Sequence, residues 1–462
     1  MTNTGQPQVV TYPAPIGEAN TFEYQVTVNG KPVDVYQAHT QHHDKRYFFA
    51  SFDFFGPVEI CVTSAVSLQA VQVLPHAAGV TWRLVEDGTL VLAAEQPFRI
   101  AIERDGENSP LLLFGNAMEI VAPSPDDPAV VYFGPGVHTP GKITLTSNQT
   151  LYLAGGAVVK GGIEASGEHI RICGRGILDG SDWGHFAGPT TFMIGLERCR
   201  NVTVQDIVLR GSWGFTLVPC GCDEVTITNV KLCGARVDND DGIDPINSSH
   251  VTIRDCFLRT DDDCIAIKGL AAYGNKACEQ ITVENCCFWT DRANIFRIGY
   301  ESDAAAMRDI TARNIDVIHF GADDRPADAY WSTWVFCLQP SNNMPMTDVT
   351  FDDFRLHAAG ENNNLIKILP MRTNGIDWHE GKIIVGEEYA QPGKCVHHVL
   401  FRNIRMDGPA KDLPARIYIA GADAEHTVSD IVLEDVTVFG KAVQADAPEV
   451  FVGKYASDIE FR

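Results

Sequence analysis

From Val202 onward the chain is written in short runs that alternate apolar and polar residues. The run "VTVQDIVL" at Val202 recurs as "VTITNVKL" at Val225, "VTIRDCFL" at Val251, "ITVENCCF" at Ile281, "ITARNIDV" at Ile310, "VTFDDFRL" at Val349, "VLFRNIRM" at Val399 and "IVLEDVTV" at Ile431. A period of two marks a strand with one buried face. Every copy also carries Asn or Asp four positions after its first residue: Asp206, Asn229, Asp255, Asn285, Asn314, Asp353, Asn403 and Asp435. The shorter repeat spacings, roughly 20 to 30 residues, hold about three short strands and their turns, a unit that cannot bury its apolar side alone. Stacked units can. The pattern predicts a right-handed parallel β-helix whose Asn or Asp stands at a corner, where its side chain can satisfy turn backbone groups. A leucine-rich-repeat horseshoe would ask for a helix in each repeat and regular Leu spacing, which these β-branched units of irregular length fit poorly. The spacing widens between Ile310 and Val399, so long loops are expected to leave the helix there.

Upstream, "VVYFGPGVHTPGKITLTSNQTLYLAGGAVVKGGI" (130–163) reads as strands punctuated by Gly, Pro and Asn, and would start the helix. The Pro- and Asp-rich "APSPDDPA" (122–129) before it is a natural linker. Earlier segments such as "FEYQVTV", "VEICVTS", "LVLAA" and "FRIAIER" alternate between turn residues and suggest an antiparallel β-sandwich. The expected organisation is all-β: a β-sandwich over residues 1–125 and a parallel β-helix over 126–462.

Composition narrows the partners. A net charge of −24 over 462 residues argues against a nucleic-acid backbone or an anionic membrane surface, since either requires clustered Lys and Arg. The start "MTNTGQPQVVTYPAPIG" has no basic, apolar leader pattern, and no segment approaches eighteen uninterrupted apolar residues. Thirteen cysteines, many set inside apolar strand patterns and none in a CxxC metal frame, read as buried thiols. Together these features lead to an expectation of a cytoplasmic chain, with secretion after removal of a leader as the alternative. No cofactor or bound metal is expected.

The chemistry concentrates in "NDDGIDPI" (239–246) and "RTDDDCIAIKG" (259–269). Aligning "SWGFTLV", "DDGIDPI", "DDCIAIK" and "ANIFRIG" by their apolar residues sets Asp240 beside Asp262 and Asp241 beside Asp263, with Asp244 joining from the side. Strands in a parallel sheet lie about 4.8 Å apart, so these acids would form one cluster. Crowding raises a carboxylate's pKa, so one member can stay protonated while its neighbours ionise, the division of labour that glycosidic hydrolysis needs. A solvated turn and an oxygen-rich calcium site are the bland alternatives. Asp240, Asp244 and Asp261 read mainly as supporting or turn residues.

The "NDDGID" and "DDC" pair resembles the Asn-Thr-Asp and Asp-Asp-Cys motifs of the polygalacturonases, glycoside hydrolase family 28. The opening "YFGPGVH" and "LYLAGGAVVKGGI", preceded by an apparent sandwich, resembles the dextranase and isopullulanase group, family 49. This resemblance implies a right-handed β-helix hydrolase that cleaves an α-linked poly- or oligosaccharide with inversion. Asp262 would be the general acid, and Asp241 with Asp263 would hold and deprotonate the water. Acid and base should then stand roughly 6.5 to 9.5 Å apart. The polygalacturonase Gly-His-Gly is missing, with Asn294 at the His position, and of its Arg-Ile-Lys only Lys367 is matched, Leu365 standing for the Arg. These departures shift the expected substrate from galacturonan towards a neutral or weakly charged glycoside, with Asp244, Lys268, Asn294, Arg297 and Lys367 as its contacts. Trp213 is expected to stack on a sugar ring; Trp289, Trp331 and Trp334 read more as packing, and His319, His397 and His398 as structural. A calcium-dependent polysaccharide lyase and a non-catalytic carbohydrate-binding β-helix are the alternative functions.

Overall fold

The computed structural model describes residues 7–19, 22–41, 46–66, 68, 70–86, 89–104, 109–321, 326–329, 332–357, 363–373, 375–379, 382–386, 391–407 and 415–462. The chain is all-β, and its larger part is a right-handed parallel β-helix. One parallel ladder runs through Ile194–Gln205, Asp223–Thr228, Ser249–Arg254, Cys278–Thr290, Met307–His319, Pro345–Leu356, Cys395–Met406, Thr427–Val438 and Ala456–Phe461. A second parallel sheet, Ile265–Gly269, Phe296–Ser302, Phe336–Gln339, Asn363–Ile368, Ala415–Ile419 and Val450–Val452, forms another wall.

The eight Asn and Asp residues of the repeat all adopt left-handed backbone, with φ between 52° and 72°. That conformation crowds Cβ in most residues, and Asn and Asp tolerate it because a short polar side chain can bond locally. They also bond along the stack, as Asn229 Nδ2 does to Asp206 Oδ1 at 2.8 Å. Inside, equivalent positions of successive coils form apolar columns. Val204, Ile227, Ile253, Val283, Ala312, Phe351, Phe401 and Leu433 are in register. All eight are buried, so each coil covers the apolar floor of the next. The loop excursion expected between Ile310 and Val399 contains an antiparallel hairpin, Gly375–His379 with Lys382–Gly386. All thirteen cysteines are free, and all but Cys61 and Cys395 are buried.

The N-terminal strands, from Gln8–Thr11 to Leu111–Ala117, form two sheets around their own apolar core. One pairing departs from the antiparallel expectation: Leu111–Ala117 runs parallel to Arg46–Phe55. The first sheet packs on the β-helix, joining Tyr47, Phe49 and Phe114 to Val208, Phe257, Trp289 and Ile318 in one buried cluster. Arg175 reaches from the helix to Asp53 at 2.8 Å, and Arg210 holds Asp179 and Glu18 at 2.7 and 2.8 Å. Tyr47 donates to the Gly234 carbonyl at 2.7 Å, and the Arg259 guanidinium lies between the rings of Tyr47 and Trp289, at 4.2 and 3.8 Å. Gly234 and Arg259 flank the two acidic stretches, so this contact bears directly on the site.

Candidate active site

The bridges Ile243 to Ile265 and Ile246 to Lys268 fix the register of the acidic coils. Asp240 therefore faces Asp262 and Asp241 faces Asp263, as the alignment predicts. Gly242 makes this close stacking possible, because a Cβ there would meet the Cys264 carbonyl oxygen at 2.4 Å. On the preceding coil Leu217 pairs with Ile243, which sets Phe215 opposite Asp241. The expected neighbour, Trp213, is displaced by two residues. It is fully buried in the core of the helix, with Nε1 donating to the Thr190 carbonyl at 3.1 Å, and presents no face to a sugar.

Asp241, Asp262 and Asp263 bring one carboxylate oxygen each within 4.8 Å of the others. That closeness of one oxygen per carboxylate reflects the spacing of adjacent coils and is a different measure from the roughly 6.5 to 9.5 Å between carboxyl groups expected for inversion. Asp262 is the most open, its side chain 18% exposed against 3% for Asp241 and 5% for Asp263. Its Oδ1 accepts from the Asp263 amide at 2.9 Å. Asp263 accepts from the Asn294 amide and Nδ2 at 2.9 and 2.6 Å, and faces Arg297 Nε at 3.2 Å. Asn294 Oδ1 in turn accepts from the Trp334 amide at 2.7 Å. Lys268 Nζ lies 2.6 Å from Asp241 and 2.9 Å from Asp244, above the Phe215 ring at 3.7 Å. Among the described residues the second oxygen of Asp241 is buried and receives no donor within hydrogen-bond geometry.

The outer acids have other work. Asp240 accepts from the amides of Asp261, Asp262 and Arg236, at 2.6, 3.3 and 2.9 Å, and so shapes the turn that carries Asp262. Asp261 is fully buried and pairs with Arg292 Nε at 2.8 Å. Arg292 extends to 3.6 Å from Asp262.

Burial pushes the Asp262 carboxyl well above the usual range, and the neighbouring Asp241 and Asp263 add to it. Burial also raises Asp241, while contact with Lys268 opposes the shift. Asp244 is pushed up to about 7 by burial, again against Lys268. Two carboxylates sharing one ammonium take up a proton more readily than an isolated pair of exposed acids would. The same three carboxylates could face a metal ion, but Lys268 and Arg297 already stand against two of them.

Lys367 shares the row of Arg297, two coils further on, yet it is fully buried and donates to the Ala329 carbonyl and Ser332 Oγ at 2.7 and 3.0 Å. It braces a loop. Trp289 and Trp334 are buried too, and Trp331 lies outside the described residues. His319 contacts Glu103 of the sandwich. His398 stands between Asp348 and Asp430 on the outside of the coils, with His397 packed against its ring. Sequence reasoning missed Phe215, Arg292 and the buried Glu301, whose charge acts on both Lys268 and Arg297. Only the coil register could have revealed Phe215. Among the described residues no helix is long and apolar enough to cross a membrane.

Residues 163–290 match the model of the glycosyl hydrolases family 28. A polygalacturonase of Chamaecyparis obtusa is 32% identical over 113 residues, 21% of this chain and 22% of that one. A probable endo-xylogalacturonan hydrolase A of Neosartorya fischeri is 27% identical over 206 residues, 41% of this chain and 46% of its own. The chain thus spans less than half the length of these curated relatives. Among solved structures, Dex49A from Penicillium minioluteum superposes with a TM-score of 0.64 at 14% identity, covering 97% of this chain and 96% of that one. The family 28 exopolygalacturonase of Yersinia enterocolitica gives 0.53 at 14% identity, covering 98% of both chains. The chain is therefore similar to family 28 glycosyl hydrolases in its acid-bearing coils and to Dex49A in its overall fold.

Proposed function

We propose that the protein is an inverting glycoside hydrolase acting on an α-linked, predominantly neutral oligo- or polysaccharide. One observation carries the reading: Asp262, the most open member of a carboxyl trio within 4.8 Å, is held towards its protonated form by burial and by the other two. Asp262 donates its proton to the leaving oxygen as the glycosidic C–O bond breaks. Asp241 and Asp263 hold a water and take its proton as the water oxygen bonds to the anomeric carbon. Lys268, Arg297 and Asn294 position these two carboxylates by direct contact. Each cation is thereby engaged within the site, which disfavours a uronate and supports a neutral sugar.

A calcium-dependent lyase is the second reading, favoured only by the grouping of three acids. The fixed cations against Asp241 and Asp263 supply the positive charge that an ion would bring, and so weigh against it. The test is a product analysis against neutral α-linked oligosaccharides and oligogalacturonates. Reducing-end release, with proton NMR showing the anomer opposite to the substrate's, supports the proposal. Ultraviolet-absorbing unsaturated products that vanish with chelator replace it by the lyase, and products of retained configuration reassign one base as a nucleophile.

A further inference from the structure

A cavity of about 310 Å³ opens on the same wall of the helix, towards its N-terminal end. Its position follows from the coil register. Glu164, Gly195, Val218, Asp244, Ala266 and Arg297 occupy one row of successive coils, and the first two line the cavity. The Phe192 ring forms part of the lining and stacks on Phe215, with 6.0 Å between centroids and planes 3° apart. Phe215 is the ring beneath Lys268, which holds Asp241. Cavity and Asp241 are thus joined by direct contacts across two coils, about 10 Å along the axis, with Asp262 and Asp263 one coil further.

The lining is of two kinds. Phe192, Leu270 and Tyr273 give it apolar and aromatic surface, backed by the buried Phe215, Val218 and Ile246. Glu164, Glu197, Ser166, Thr144 and Thr191 give it acceptors and hydroxyls, and among the described residues its lining includes no Lys, Arg or His. Glu197 is held by the Tyr273 hydroxyl at 3.0 Å, and Lys142 and Arg198 pair with Glu164 and Glu197 respectively. A pyranose needs both kinds of surface: its C–H face lies on an aromatic ring, and its hydroxyls donate to carboxylates. The volume suits one ring of a larger ligand.

We propose that this cavity is a subsite for an uncharged glycosyl unit beyond the one cleaved, and that its two glutamates disfavour uronates by occupying Lys142 and Arg198, the cations beside the lining. The inference rests on the hydrolase reading for its ligand class, but binding can test it without turnover. Gly195 is the lever. A Cβ there has its nearest neighbour, Phe192 Cδ2, at an ordinary 3.5 Å, so Gly195→Leu fills the cavity without a backbone clash.

Calorimetry on Asp262→Asn should show that isomaltotetraose, maltotetraose or α-1,4-galactotetraose binds and that tetragalacturonate does not. Adding Gly195→Leu, or Phe192→Ala, should weaken the neutral ligand about tenfold, as expected for loss of a half-buried ring contact. Glu164→Gln with Glu197→Gln should raise affinity for tetragalacturonate. With wild-type Asp262, Gly195→Leu should raise KM for the tetrasaccharide more than it lowers kcat. Unchanged tetrasaccharide binding in both cavity variants, equal binding of tetragalacturonate by the parent, or no binding of any neutral tetrasaccharide overturns the subsite. Absence of hydrolysis combined with binding that Gly195→Leu weakens overturns the hydrolase reading and leaves the subsite standing.

Discussion

Lys268 Nζ and Asp241 Oδ2 lie 2.6 Å apart, both side chains almost wholly shielded from solvent. Because the same ammonium also faces Asp244 at 2.9 Å, two buried carboxylates depend on one cation. Lys268→Met should destabilise the fold by about 3–5 kcal/mol at neutral pH, the usual result of stranding a buried charge. Asp244 titrates near 7 in the folded chain, above an ordinary carboxyl, so its protonated form favours folding and its contribution is lost as pH rises towards 7. The variant's deficit should therefore shrink at pH 5 and grow at pH 8, as urea unfolding at the two pH values would show.

Asp262→Asn should lower kcat by about 10²–10⁴, the typical contribution of a general acid, with an unchanged thermal unfolding midpoint, since a neutral amide replaces a carboxyl already held towards its neutral form. The raised Asp262 pKa sets the alkaline limb of the wild-type rate profile, because an acid catalyst is lost on ionisation. Activity should fall with rising pH only well above the usual carboxylate range. In the Asn variant that limb should vanish from whatever residual rate is measured; its persistence would assign the proton donor elsewhere.

Trp213→Phe should act on stability and not on substrate. The change removes the Nε1 bond to Thr190 and leaves a void beside Gly162, Gly180 and Gly188, where the indole fills the space an added Cβ would need. A loss of about 1–3 kcal/mol is expected, from an unsatisfied buried carbonyl and lost packing, with KM unaltered. A rise in KM without loss of stability would return Trp213 to the sugar.

Asp179 gives the contact between sandwich and helix an acid limit. Burial alone would raise its pKa, but the hydrogen bonds and charge of Arg210, with Ser181, outweigh it and bring the value down. A depressed carboxyl stabilises the fold above its unfolded pKa, near 4, and that contribution is lost as pH falls through the folded value. Arg210→Met should cost about 3–5 kcal/mol at pH 7 and much less at pH 3, as guanidinium unfolding would report.

The corner residues show why so much of the fold was legible. A left-handed φ is a local demand met by few residue types, so Asp206, Asn229, Asp255 and their counterparts announce each coil in the sequence itself. Inward and outward faces were legible for the same kind of reason, and they set Asp241 against Asp263. The slip at Trp213 has the opposite cause. A shift of one residue would have turned every side chain over and been noticed, whereas a shift of two preserves the alternation. The true partner, Phe215, emerges only when the Leu217 to Ile243 bridge is seen. Lys367 matched a motif position by spacing, yet its head group turns to Ala329 and Ser332, a choice made by a loop with no periodic signal.

The clamp of Tyr47 and Trp289 about Arg259 also has a meaning in time. During synthesis the sandwich leaves the ribosome before the coils it will cover, and N-terminal domains fold first. On that order the coil bearing Asp261, Asp262 and Asp263 would close against a surface already in place, where Tyr47 meets Arg259 and the Gly234 carbonyl. The sandwich would then serve the acid-bearing coil as an internal assembly jig, a finished template for a turn crowded with carboxyl groups.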